Sequence, residues 1–122
     1  MSTRHGGFGG VIVNVSSIAA RTDSPNECID NTASKGAIDT LAKGLSLKVA
    51  AEGVRVNCVR PGIIYTDMHT DGGEPDRIER LKSKIPIQRG GFPEEIAEAI
   101  YWLSSEKSSF STGNLLDLAG GM

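Results

Sequence analysis

Two β-branched runs separated by one long helical pattern constrain this chain more than anything else in it. Val11 to Val15, VIVNV, is almost continuously apolar, as in a strand buried on both faces of a parallel sheet. Ser24, Pro25 and Asn26 signal a turn. After it, Ile29, Ala33, Ala37, Ile38, Leu41, Leu45 and Val49 recur at helical spacing as far as Glu52, and Gly53 stands where a helix C-terminal cap belongs. Val54 to Val59, VRVNCV, alternates as a second strand, and Pro61-Gly62 closes it because proline has no N–H to give the ladder. Strand, helix and strand in that order make a βαβ unit with parallel strands and a right-handed crossover.

The rest of the chain extends the same plan. Asp67 to Gly91 is charged and glycine-bearing, with at most one short amphipathic helix through Ile78, Leu81 and Ile85. Pro93 opens a second main helix where its missing N–H costs nothing, and Glu94 and Glu95 suit the N-terminal dipole. Ile96, Ala97, Ile100, Tyr101 and Leu103 supply its buried face, to about Ser105. Asn114 to Leu118, NLLDL, reads as a last short strand. Ser2 to Gly10 is polar and glycine-rich with nothing to pack, and reads as a mobile lead-in, so the folded unit is expected over residues 11–122. Three strands and two main helices in β-α-β-loop-α-β order form half of an open α/β sheet. The glycine cluster Gly6 to Gly10 precedes a strand and does not link a strand to a helix, so it lacks the placement of a dinucleotide phosphate turn.

Composition removes several function classes. The 122 residues suit one core, and 13 basic against 15 acidic residues give a net charge of -2, with no broad positive field for nucleic acid. No stretch approaches the roughly 18 apolar residues that cross a bilayer, the start has no apolar signal-peptide centre, and the expected compartment is the cytoplasm. Cys28 and Cys58 lack CxxC spacing and read as small buried apolar residues, without disulfide or zinc. His5 and His69 have no second ligand at metal spacing, so no metal site is expected. Asp67, Asp71, Glu74 and Asp76 read as a solvated loop, and Trp102 as core or interface packing.

Four segments in order resemble the C-terminal half of a short-chain dehydrogenase/reductase, a Rossmann-like doubly wound parallel fold. IVNVSS at Ile12 to Ser17 resembles the strand that brings the catalytic serine, TASKGAIDTLAKGLSLKVA the active-site helix, VRVNCVRPGIIYTDM the strand and turn that meet the nicotinamide, and TGNLLDLAGG the C-terminal strand. The similarity is greatest to bacterial members labelled glucose or sugar dehydrogenases. The resemblance implies an oxidoreductase of alcohols and carbonyls that uses NAD or NADP. Carbonyl reduction places a hydride on carbon and a proton on oxygen. In the family the proton comes from a tyrosine whose pKa a lysine one turn later lowers, while a serine hydroxyl holds the oxygen. Carried over, the serine is Ser17, with Ser16 as the alternative, and the lysine is Lys35, which would reach the ribose hydroxyls. Pro61 and Gly62 turn the chain, and Ile64 and Thr66 would contact the carboxamide.

The sequence departs from the pattern twice. The tyrosine position, four residues before Lys35, is Asn31, whose amide can hydrogen-bond but cannot transfer a proton near neutral pH. Tyr65 and Tyr101 are the only phenols, and neither lies on the lysine's helix. The positions that hold the adenosine diphosphate end in the family are also absent. A half sheet of this kind leaves VIVNV with an unpaired edge, so the expected partners are a second copy of the chain, through that edge and the small-residue face Ala33, Gly36 and Ala37, or an N-terminal half. A non-enzymatic interaction module is the alternative function.

Overall fold

The computed structural model describes residues 1–22, 29–67, 71 and 73–122. Strand β1 is Gly10–Val15, helix α1 Ala19–Thr22, helix α2 Ile29–Val49, strand β2 Val54–Pro61, helix α3 Arg77–Leu81, helix α4 Pro93–Ser104 and strand β3 Leu115–Leu118. The sheet is parallel throughout, in the order β1-β2-β3, with Val11 opposite Arg55 and Val59 opposite Leu116. This is an α/β Rossmann-like half sheet with β1 on one edge, as the sequence leads one to expect. Gly53 caps the helical segment with φ 75°, its N–H donating to Ala50 O. The turn at Ser24 to Asn26, Cys28 and His69 lie outside the described residues.

The alternation of β2 sorts the two layers. Val54, Val56 and Cys58 point to one face and pack with Ala42 in the fully buried core, joined by Ile12, Ile38, Leu45, Val49 and Leu115. That face belongs to α2. Arg55, on the other face, donates to Leu103 O at 3.1 Å and so meets the end of α4. Both crossovers step the same way across the sheet, yet their helices lie on opposite faces, so they have opposite hands. One of them therefore departs from the right-handed rule that the sequence reading applies to β1-α2-β2.

Several expectations need correction. The buried line of α2 runs through Ile38, Ala42, Leu45 and Val49, with Ser46 also enclosed, whereas Ile29 and Leu41 are 68% and 60% exposed and Ala33 and Ala37 are exposed too. Two apolar stripes share this helix, about 100° apart, and only one faces the sheet. Met1 to Gly10 has packing after all. Thr3–His5 is a 3₁₀ turn, Gly9 N–H donates to Met1 O at 2.8 Å, Ser2 Oγ donates to Glu52 at 2.8 Å, and Gly10 already pairs with Val54. Backbone groups replace the missing apolar side chains there. Trp102 is 45% exposed and outside the core, and Tyr101 is 74% exposed. Pro61 stays in the ladder as an acceptor, taking the Ile18 N–H at 2.9 Å, so β2 runs two residues past Val59, where the sequence reading ends it.

Ile78 and Ile85 are buried, but α3 ends at Leu81 and Ile85 follows the 3₁₀ turn Lys82–Lys84 in extended conformation, so the helix does not run through all three apolar positions. Cys58 is fully enclosed, and burial together with the nearby Asp39 carboxylate pushes its thiol up to about 11, which makes it an inert core residue. Among the described residues no helix is long and apolar enough to cross a membrane, and no cluster of three or more His, Cys, Asp or Glu side chains gathers.

Candidate active site

The sheet register carries the chain from β1 into the site. Ser16 N–H donates to Val59 O and Ile18 N–H to Pro61 O, both at 2.9 Å, so Ser17 is held beside the end of β2. Its hydroxyl oxygen accepts the Ala19 N–H at 3.2 Å, a local turn that leaves the hydroxyl proton to donate elsewhere. Ser16 is buried, and its Oγ donates to Lys35 O at 3.0 Å, tying β1 to α2. The two serines therefore have different tasks, and Ser17 is the one whose hydroxyl proton is not already donated within the chain.

Beyond β2 the chain closes on itself. Gly62 N–H donates to Leu118 O at 3.0 Å, and a Cβ on Gly62 would lie 2.8 Å from Ala119 Cα, so only glycine allows the end of β3 this close. Ile64 forms an isolated parallel bridge with Gly91, with Tyr65 N–H donating to Gly91 O at 2.8 Å and Gly91 N–H to Ile63 O at 2.9 Å. Just upstream, Arg60 Nε donates to Asp117 at 2.6 Å and Nη1 to Asp39 at 3.2 Å, linking α2, β2 and β3. Burial opposes the Arg60 charge, but the bonds to Asp117 and Asp39 outweigh it and raise its pKa.

These elements border an open cavity of about 420 Å³ at the C-terminal ends of β1 and β2, the end of an open α/β sheet where ligands bind. Ser17, Pro61, Gly62, Ile64 and Thr66 all line it, and so does Ser16, whose hydroxyl proton is already given to Lys35 O. The opposite wall comes from α4: Pro93, Ile96, Ala97 and Ile100. Sequence reasoning assigns three of these four to the helix's buried face. The i, i+4 pair Ile96 and Ile100 is the available signal, but period alone does not distinguish a core from a cavity wall.

Asn31 and Lys35 are not among the lining residues. They lie one turn apart on α2, where Lys35 Nζ donates to Val15 O at 3.3 Å and Asn31 is exposed. No hydrogen bond holds the Asn31 side-chain amide among the described residues, although its backbone carbonyl accepts from Ser34 Oγ at 2.7 Å. Tyr65 offers no substitute phenol: its ring stacks on Phe92 at 5.0 Å, its hydroxyl oxygen accepts the Gly90 N–H at 3.4 Å, and it does not line the cavity. Next to it, Arg89 lies 5.6 Å over the Phe92 ring and pairs with Glu95, whose carboxyl the Arg89 hydrogen bonds and the Phe92 N–H hold down at about 2.

The half sheet, the serine at the end of β1 and the cavity at the strand ends define a class. A family model described as enoyl-(acyl carrier protein) reductase matches residues 2–122, and the chain belongs to the short-chain dehydrogenase/reductase family. It is 64% identical over 121 residues to an uncharacterized oxidoreductase of Escherichia coli, YgfF, covering 99% of this chain and 49% of that protein. It is 42% identical over 113 residues to the 3-oxoacyl-[acyl-carrier-protein] reductase of Chlamydia trachomatis, covering 93% of this chain and 45% of that one. Among solved structures, a 3-oxoacyl-[acyl-carrier protein] reductase of Brucella melitensis with bound NAD superposes with a TM-score of 0.80 at 38% identity, over 93% of this chain and 40% of that one. The chain spans about half the length of the curated relatives it matches.

Proposed function

We propose that this chain is the nicotinamide-and-substrate half of an NAD(P)-dependent oxidoreductase of alcohols and carbonyls, and that as a separate polypeptide with Asn31 it does not turn over. The observation that carries this reading is the convergence of Ser17, Pro61, Gly62, Ile64 and Thr66 on one cavity at the strand ends. At about 420 Å³ that cavity is nearly three times the ~150 Å³ apolar cavity that takes benzene, so a nicotinamide ring and the reacting end of a substrate both fit. Ile64, Thr66 and the Pro61-Gly62 turn would hold the ring; when bound, the dinucleotide supplies the hydride. Ser17 orients the substrate oxygen through its hydroxyl. Lys35 places a positive charge one turn from Asn31, and Asn31 can donate a hydrogen bond but no proton.

A nicotinamide site without the contacts for the rest of the cofactor retains only part of the binding energy. Fluorescence titration of the purified chain with NADPH and NADH is therefore expected to show saturation only in the millimolar range, with no carbonyl turnover. Adding the first half of a relative as a separate polypeptide is expected to tighten binding. Turnover by the chain alone at rates near those of intact relatives would overturn the proposal.

The second reading, an interaction module, is favoured by the position of β1 at the sheet edge and by the exposed Ile29, Leu41 and Leu47 on α2. Its partner would be a second copy of the chain or an N-terminal half. Failure of the added half to tighten cofactor binding, with a dimer in light scattering, would decide for it.

A further inference from the structure

Ile64 and Ile96 line a second cavity as well as the first. It has a volume of about 270 Å³, and its walls are aliphatic: Ile63, Ile64, Ile85, Ile87, Ile96 and Leu118. Gly120 adds backbone to this wall. A Cβ there would stand 2.6 Å from Ile87 Cγ2 and 2.8 Å from Ile85 Cγ2. Three charged residues also border the space, and each is already partnered. Arg89 donates to the two Glu95 carboxylate oxygens at 2.9 and 2.7 Å, and Asp117 accepts from Arg60 at 2.6 Å.

A ligand entering this space meets hydrocarbon and ion pairs that already bond to one another. A polyol would exchange its hydrogen bonds to water for a largely aliphatic wall with only spare carboxylate positions of Glu95 and Asp117 and glycine backbone to replace them, whereas an alkyl chain loses only its contact with water. The volume is nearly twice the ~150 Å³ apolar cavity that takes benzene, so a segment of about six to ten carbons fits.

We propose that this second cavity receives the aliphatic part of the substrate whose carbonyl or alcohol carbon lies at Ser17, the chain crossing between the two cavities over Ile64 and Ile96. The substrate class is then a medium-chain ketone, aldehyde or secondary alcohol, not a sugar or polyol. This rests on the reading of the Ser17 cavity as the reacting end.

The test is methyl NMR of the full chain with its isoleucine δ1 methyls labelled, titrated with 2-octanone and separately with ribitol. Saturable shifts are expected at Ile63, Ile85 and Ile87 with 2-octanone, none at the same concentration with ribitol, and none at Ile12 and Ile38, which pack against the core on the α2 face. Ile87 is 56% exposed at the rim, and Ile87→Trp is expected to weaken 2-octanone binding at least tenfold. Should that variant lose its cooperative melt, Ile87→Asp carries the same expectation. Absence of ketone shifts, equal shifts at Ile12 and Ile38, or equal response to ribitol would overturn the proposal. Carbonyl reduction by this chain rejoined to a first half reads the functional proposal separately. Reduction without the methyl shifts overturns the aliphatic subsite alone, and shifts without reduction overturn the oxidoreductase reading.

Discussion

Restoring a phenol with Asn31→Tyr is expected to raise carbonyl reduction on the order of 10²- to 10⁴-fold, provided the chain is first fused to the first half of a relative such as the Escherichia coli oxidoreductase. That is about 3 to 5 kcal/mol of transition-state stabilisation, the worth of a positioned proton donor. The helix already supplies the rest of the device. Position 31 lies one turn before Lys35, where side chains are roughly 6 Å apart, and Lys35 is anchored over the end of β1 by its bond to Val15 O. A tyrosine set beside that cation titrates below its ordinary value near 10. The same substitution in the separate chain is expected to give no turnover, because proton donation without a held dinucleotide has nothing to act with. The measurement is loss of reduced nicotinamide absorbance with a ketone panel, for the fusion and the separate chain, each with and without Asn31→Tyr. Adding Lys35→Met to the Asn31→Tyr fusion should move the alkaline fall of the pH–rate profile upward, because the proton donor then keeps its proton to higher pH, a change that a merely structural lysine would not produce. Equal rates for the fusion with and without Asn31→Tyr would show that the amide at this position is no handicap.

How much of this is legible in the sequence depends on the range of the interactions. VIVNV and VRVNCV show their strands because β-branched runs speak for a buried sheet locally, and Gly53 and Pro93 mark helix ends through their own backbone restrictions. Ser17, Pro61, Gly62, Ile64 and Thr66 are found through resemblance, and the structure brings them together. Less can be read where a long-range choice intervenes. The two apolar stripes of α2 are equivalent until the sheet selects the one through Ala42. The handedness rule would put α4 on the face of α2, so nothing in the sequence indicates that Ile96 and Ile100 wall the cavity, or that Arg55 lies under a helix rather than facing water. Ser2 to Gly10 escapes a reading based on side chains because its contacts are mostly made by backbone N–H and carbonyl groups, which every sequence possesses.

Arg55 is where that hidden placement has its largest energetic consequence. The two N–H groups of its guanidinium Nη1 are shared among Leu103 O, Ser108 O, Ser108 Oγ and Ser111 O at 3.0–3.2 Å, and Nη2 donates to Ser105 O at 3.0 Å. One side chain from β2 thus ties together the end of α4, the following 3₁₀ turn Glu106–Ser108 and the approach to β3, in a partly buried setting. Cations stabilise helix C-termini, and charge-assisted hydrogen bonds contribute about 1.5 to 3 kcal/mol, so Arg55→Ala is expected to cost about 3 to 5 kcal/mol once the abandoned carbonyls are included. Against a total stability of about 5 to 15 kcal/mol for a domain, that loss leaves a large unfolded fraction. Arg55→Lys should recover less than half of it, since one ammonium cannot span the carbonyls that a planar fork reaches. Arg80, paired with Glu74 at 2.7 Å but 57% exposed, is the control: Arg80→Ala should cost under about 1 kcal/mol. Urea melts of the unsubstituted chain and these three variants, followed by circular dichroism, give the comparison. Matching midpoints for the Arg55→Ala and Arg80→Ala forms would mean that solvent serves those carbonyls as well as the guanidinium does, and that α4 is held by its apolar face alone.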